Sequence, residues 1–371
     1  DKVLHQAKNT LSAFATFDYV EQNFKTVERL YNIEFTRDWN IDELILDANQ
    51  KRITAGLKYQ LNQLGSITYQ FDHLNLAGNF KGYKQSLFAN LKSKKIELTQ
   101  NLNYLTTSGN NTSSNFLRNY STLKYSKDKN WVGFKLNAED NQQKDKATTL
   151  LTNLSQRFAE VGAFVGRGEK DNIYAELGYT FRVNDSLVSG KLNRVNQSNS
   201  FYLDSRLVQT EKSDLSFYAN YRTLTYEDDR ATEPSLNSRI VYNDQYFKQL
   251  IQISTAYETS SGSIAQQEFT YLEVEPTQGT YMWIDYNNNG IQELEEFEIA
   301  TYPDLAKYVR VYLPNQVFLR THQNRISQSL TFNFNRFIND SRKGLKVLSK
   351  FYNQTSLLLD QKTFKQGTTL N

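Results

Sequence analysis

The chain has 371 residues, a formal net charge of +3, 13% aromatic residues and no cysteine. So small a charge exerts no global pull on nucleic acid, and no nucleic-acid partner is expected. Without cysteine there is no disulfide framework, thiolate metal site or thiol nucleophile, and no run of about 18 apolar residues offers a membrane-spanning helix.

A mean hydropathy of −0.65, with 24 tyrosines, 23 phenylalanines and only 4 prolines, suits neither disorder nor a Pro-rich linker. It is the composition of long amphipathic strands. In chain order, the start at Asp1 shows no basic-then-apolar leader. From about 11 to 50 the residues alternate poorly and carry much charge. Val20, Phe24, Val27 and Leu30 recur at three- and four-residue steps, which predicts a short helix over 20–31. The stretch "EFTRDWN" (34–40) then leads toward the first clean ladder. Residues 1–50 therefore read as an irregular, partly helical lead-in.

Beyond residue 50, period-two alternation recurs almost everywhere. Ile53, Ala55, Leu57, Tyr59 and Leu61 form one apolar ladder. Ile173, Ala175, Leu177, Tyr179 and Phe181 form another, and Leu215, Phe217, Ala219 and Tyr221 a third. Each ladder gives a strand one apolar and one polar face. Turn clusters separate them: "TSGNNTSSN" (107–115), "KDKN" (127–130), "RGEKDN" (167–172), "VNDS" (183–186), "NQSNS" (196–200), "TEKSD" (210–214) and "TSSGS" (259–263). The rhythm predicts roughly a dozen strands of about 8 to 14 residues in meander order. Residues 51–371 then form a β-barrel region, with a long loop insertion at about 275–325.

Two architectures absorb so many hairpins: a soluble sandwich, or a transmembrane barrel with lipid on its apolar side and water on its polar side. Strand length, polar faces rich in Lys, Arg, Glu, Gln and Asn, and aromatics near strand ends (Tyr125, Trp131, Tyr226, Phe247) favour the barrel. The expectation is an all-β fold. It is an antiparallel meander of long amphipathic strands, a transmembrane β-barrel or part of one, with a strand–loop–helix calcium loop in a long connection.

That loop is "DYNNNGIQELEE" (285–296). Asp285, Asn287, Asn289, Gly290 and Glu296 occupy every fixed place of the pattern D-x-[DN]-x-[DN]-G-x5-E. A hard cation needs oxygen ligands on alternate residues of a tight loop. Ile291 would offer its carbonyl, Glu293 a contact through water, and Glu296 a bidentate carboxylate. A single copy with two Asn for Asp should bind weakly, at about 10⁻⁴ to 10⁻³ M, and serve structure. The competing reading is a hairpin turn at Asn289–Gly290. No nucleophile, zinc or phosphate motif occurs. The three histidines (His5, His73, His322) stand apart and read as surface or girdle residues.

Two segments carry a resemblance: "NFKTVERLYNIEFTRDWN" (23–40) and "YMWIDYNNNGIQELEEFEIATYPDLAKYVRVYLPNQVFLRTHQNRISQSLTFN" (281–333). They resemble a family of large, poorly characterised cell-envelope β-proteins of Bacteroidota. The resemblance implies an outer-membrane location and a longer parent protein, implies no reaction, and carries the calcium-type loop at Asp285, Asn287, Asn289, Glu293 and Glu296. One departure stands out: barrels of this kind commonly end on an aromatic residue, whereas this chain ends "GTTLN".

The leading expectation is a non-enzymatic outer-membrane subunit of a transport, secretion or surface-assembly complex. Its partners would be outer-membrane lipid and lipopolysaccharide and other envelope proteins, with a structural Ca²⁺ as cofactor and loops at the cell surface. The alternative is a soluble, surface-exposed β-protein that binds glycan or protein through aromatic-rich faces. A third is an envelope hydrolase, though no carboxylate pair stands out.

Overall fold

A strand that alternates apolar and polar side chains needs a different neighbour on each face, and the ladders meet that need edge to edge. The structure, a computed structural model, describes residues 2–3, 9–24, 35–41, 48–265, 268–275, 277–286, 292–293, 296–313, 318–336, 347 and 349–365. The strands in chain order begin with β1 (Lys2–Val3) and β2 (Asn9–Val20), followed by the one-turn helix α1 (Phe35–Trp39). Next come β3 (Gln50–Leu61), β4 (Gly65–Leu76), β5 (Phe80–Lys92), β6 (Ile96–Gly109), β7 (Thr112–Lys127) and β8 (Asn130–Asp145). They continue with β9 (Gln156–Gly168), β10 (Tyr174–Val188), β11 (Lys191–Gln209), β12 (Ser213–Tyr226), β13 (Glu233–Tyr246) and β14 (Ile251–Ala265). Four short strands follow: β15 (Glu268–Glu273), β16 (Tyr281–Trp283), β17 (Phe297–Ile299) and β18 (Tyr308–Leu313). The chain then forms β19 (Phe318–Asn333) and β20 (Tyr352–Phe364).

Sixteen of these strands form one sheet in the order β1 to β14, then β19 and β20. The registered pairs from β1 through β13 are all antiparallel neighbours in sequence. The fold is thus the expected all-β meander, with more and longer strands than the rhythm suggested: β11 alone has 19 residues. The chain divides into two compact units, one of Asp1–Glu258 with Arg325–Leu359, the other of Thr259–Asn324 with Asp360–Thr369.

Pairing register carries side-chain parity from strand to strand in the first unit. Phe17 lies opposite Ile53, Phe134 opposite Leu123, Leu177 opposite Val165 and Leu203, and Phe201 opposite Tyr221. This is the outward face, and it stays uncovered: Phe17, Phe134, Val165, Leu177 and Phe201 are each more than half exposed. Among the described residues, exposed large hydrophobics outnumber buried hydrophobics by more than three to one. The inward face is the polar one, and it holds the buried groups: Asp72 at 0%, Ser198 at 2% and Glu176 at 5% exposure. A sandwich would put the apolar ladders against each other, and this sheet does the reverse.

Aromatics on the inward face are seated on glycine. Four directly opposed cross-strand pairs share the arrangement: Phe14–Gly56, Trp131–Gly166, Phe164–Gly133 and Tyr202–Gly178. In each, a methyl on the glycine would collide with the partner ring. The ring thereby covers strand backbone left bare by the missing side chain.

Several sequence expectations are corrected. Residues 9–20 of the supposed lead-in form β2, paired with β3 over its whole length. Phe14, turned inward over Gly56, masks its alternation. Of the helix expected over 20–31, residues 25–31 lie outside the described residues and 22–23 form a turn; the described helix is at 35–39. "VNDS" and "NQSNS" are not turns. They lie within β10 and β11, paired strand to strand, with a bulge at Asn184/Asp185. The turn between them is Ser189–Gly190, both at positive φ (52° and 78°) as a tight hairpin requires. "TSSGS" likewise falls inside β14.

The second unit contains a small sheet in the order β15-β18-β16-β17. The stretch expected as a long loop insertion therefore has a fold of its own. Its core is aromatic: Phe297 stacks on Tyr271 at 4.0 Å and meets Tyr308 edge-on at 5.0 Å.

Candidate functional site

The inward wall of the first unit concentrates the chemistry. Asp72 accepts hydrogen bonds from Thr54 (2.6 Å), Gln70 (2.7 Å) and the Arg52 guanidinium (3.0 Å). Glu176 is a second hub: the Trp131 indole donates to it at 2.7 Å and the Tyr202 hydroxyl at 3.1 Å, while Lys170 pairs with it at 3.2 Å. Buried charge persists only when paired and hydrogen-bonded, and both carboxylates meet that condition. The Trp131 placement corrects a sequence expectation, because it faces inward and is buried rather than lying in an outward girdle. Of the four residues proposed for that girdle, Tyr125 stands on the outward face, opposite Val132. Tyr226 pairs with Asn196 on the inward side, and Phe247 sits in a turn.

Over β8 to β12 the inward wall opens into a cleft of about 870 Å³. Small residues make its floor and long cationic side chains stand around it. At one end of the wall, α1 folds against β4–β8. Trp39 is 1% exposed among Leu74, Leu76, Phe80, Leu105 and Phe116, with the Lys84 ammonium over its ring at 4.7 Å. Arg118 binds Asp38 at 2.7 Å and the Arg37 carbonyl at 3.0 Å, Arg37 reaches Glu139 at 3.3 Å, and Asn40 donates to Ser114 and Asn141. The apolar seat and the polar clasps together hold this segment on the wall. Its visible signal in the sequence is Trp39 preceded by Arg37 and Asp38 and followed by Asn40.

Of the expected calcium ligands, Asp285, Glu293 and Glu296 are described, while Asn287, Asn289 and Ile291 lie outside the described residues. β16 enters the loop as expected. At the exit, Glu296 has 3₁₀ geometry, its amide donating to the Glu293 carbonyl at 3.0 Å, and the chain then enters β17, paired Trp283 to Phe297; stacking on Tyr271 draws Phe297 into the sheet. Glu296 is buried at 3% exposure. Its Oε2 accepts the Trp283 indole N–H at 2.8 Å and the Glu293 amide at 3.4 Å. Its Oε1 is buried with no partner among the described residues, an expensive state for a carboxylate oxygen and one that a cation relieves. Among the described residues, no group of three or more acidic or His side chains is placed to hold a metal ion. Nearby, Tyr286 donates to Glu298 at 2.6 Å, and that carboxylate pushes its phenol above the ordinary range.

Of the histidines, His73 stacks on Tyr83 at 4.5 Å on the outward face, whereas His322 is buried beside Thr259 rather than on the surface; His5 lies outside the described residues.

No protein-family model and no curated protein matches the chain. Among solved structures, it is similar to one described as a bacterial polysaccharide outer membrane secretin. The two share 9% identity over 76% of this chain and 83% of that one, at a TM-score of 0.32. A likeness at that level fixes neither a role nor a location.

Proposed function

We propose that the chain is an outer-membrane β-barrel protein, or part of one, serving without catalysis in an envelope transport, secretion or surface-assembly complex. One observation carries the reading: the long meander leaves its apolar face uncovered and buries its polar face. Contiguous exposed apolar surface on soluble monomers rarely exceeds a few hundred Å², and lipid is the solvent such a face suits. Strands of 12 to 19 residues in β2 to β13 exceed the about 9–11 that a tilted span needs.

The connections are also asymmetric. Those at 62–64, 93–95, 128–129, 169–173, 210–212 and 247–250 are all short, whereas the opposite strand ends mix short turns at 77–79, 110–111 and 189–190 with the longer 21–49, 146–155 and 227–232. In barrels of this kind the longer loops face outward from the cell, which would put α1 on that side. In the 227–232 loop, Arg230 forks onto Asp228 and holds its carboxyl below the usual range.

The test is extraction and gel mobility. Detergent should be required for extraction, and the unboiled protein should migrate faster than the boiled one. A monodisperse protein in plain aqueous buffer overturns the proposal in favour of the soluble, glycan- or protein-binding reading.

The acidic loop is read as a structural calcium site, with Asp285, Glu293 and Glu296 among its ligands. The orphaned Oε1 of Glu296 supports it. Calcium should raise the melting temperature of the parent protein, and Glu296→Gln should remove that rise. A parent whose melting temperature ignores calcium rules the site out.

A further inference from the structure

The cleft over β8 to β12 has an uneven complement of charge. One row of the wall runs Lys135, Gly162, Thr180, Ser200, Arg222, each opposite the next across a strand pair. Four strand spacings of about 4.8 Å put the two cations roughly 19 Å apart at the backbone, with only small side chains between them. Lys135 has no carboxylate partner among the described residues. Its ammonium lies over the Phe164 and Tyr202 rings at 5.1 Å and touches the Tyr202 hydroxyl at 3.4 Å. Among the described residues, the Arg222 guanidinium has no hydrogen bond or ion pair.

The cleft's other charges are largely committed. Lys170 pairs with Glu176 at 3.2 Å. Arg182 meets Glu160 at 3.8 Å. Asp204 accepts the Tyr174 hydroxyl at 3.1 Å, four residues along β11 from Ser200 and so about 13 Å away. The floor carries unused hydrogen-bonding groups as well. The hydroxyls of Thr180, Ser198 and Ser200 have no partner among the described residues, and the Asn220 amide oxygen is buried without one.

We propose that this cleft binds an anionic, hydroxyl-rich solute, a saccharide bearing a carboxylate or a phosphate. Lys135 and Arg222 take the charge, and Thr180, Ser198, Ser200 and Asn220 take the hydroxyls. The assignment deepens the proposed function and rests on one part of it, that the polar face is a water-lined wall. Two spare cations flanking a row of small residues suit one compact anion between them. An unpartnered amide oxygen and three free hydroxyls suit a ligand that both donates and accepts.

The experiment is calorimetric titration of the detergent-folded full chain with glucuronate, glucose 6-phosphate, glucose and inorganic phosphate. Fold is monitored in parallel by heat-shifted gel mobility. One or both charged sugars should bind roughly tenfold or more tightly than glucose and than phosphate, the size of one charge-assisted hydrogen bond. The tighter of the two identifies the charged group. Arg222→Gln should weaken that binding by a similar factor with mobility unchanged, while Arg230→Gln, in a loop, should leave it intact. Equal binding of glucose and the charged sugars overturns the proposal, as does equal binding of phosphate, no binding at all, or indifference to Arg222→Gln. Selective binding in a protein that proves to need no detergent supports the site while removing the membrane assignment.

Discussion

Leu177 and Gly178 are neighbours in β10 and belong to opposite environments. Leu177 stands outward between Val165 and Leu203, more than half exposed. Gly178 faces inward and carries the Tyr202 ring across its bare backbone. The two faces of the one sheet show that an aromatic or aliphatic side chain is not located by its hydrophobicity alone. Outward, apolar groups lie uncovered in a continuous belt. Inward, several sit where glycine leaves room, where a polar partner meets them, or where α1 covers them.

Three substitutions, two of them with a control, probe this contrast. Leu177→Lys sets a charge in the outward belt and should cost about 2–4 kcal/mol if that belt meets the bilayer interior. The inward control Thr180→Lys, three residues on, should cost far less. Folding into lipid vesicles measures both, and equal penalties would erase the distinction between the faces. Gly178→Ala should cost about 1–3 kcal/mol, because the added methyl collides with Tyr202 and must be relieved by strain. Gly190→Ala, with open space around its site but φ at 78°, should show only the turn's conformational penalty. Urea unfolding in detergent compares them. Trp131→Phe keeps the ring over Gly166 and removes the indole donor to Glu176. Its cost should be smallest, about 1 kcal/mol, because Tyr202 and Lys170 still hold the carboxylate. A loss as large as that of Leu177→Lys would show that the inward network, and not the outward belt, dominates stability.

The ladders in β3, β10 and β12 were legible because the residues between their apolar rungs are mostly small or polar, as Arg52 to Gln60, Glu176 to Thr180 and Ser216 to Asn220 show. β2 was not, since Phe14 interrupts the rhythm from the inward side. The polar runs of β10 and β11 imitated turns because Asn, Ser and Asp are the residues that turns favour, whereas here they lie within paired strands. Trp131 near a strand end looked like a girdle residue because sequence position gives its height along the strand but not its facing. The meander itself was readable from local alternation. The α1 dock was not, as it depends on Arg118, Glu139 and Asn141 from strands about 80 to 100 residues away. At the acidic loop the spacing of Asp285 and Glu296 was visible. The buried, half-satisfied state of Glu296 was not, because it arises from pairing of β16 with β17.

The tryptophans have a practical consequence. Trp131 turns inward onto Glu176, Trp39 is seated over the inward wall in an apolar cluster, and Trp283 is tied to Glu296 in the small sheet. Among the described residues, the first unit therefore carries no indole on its outward face. If that face meets lipid, brominated acyl chains should quench an indole introduced by Phe134→Trp and leave Trp39 and Trp131 unaffected.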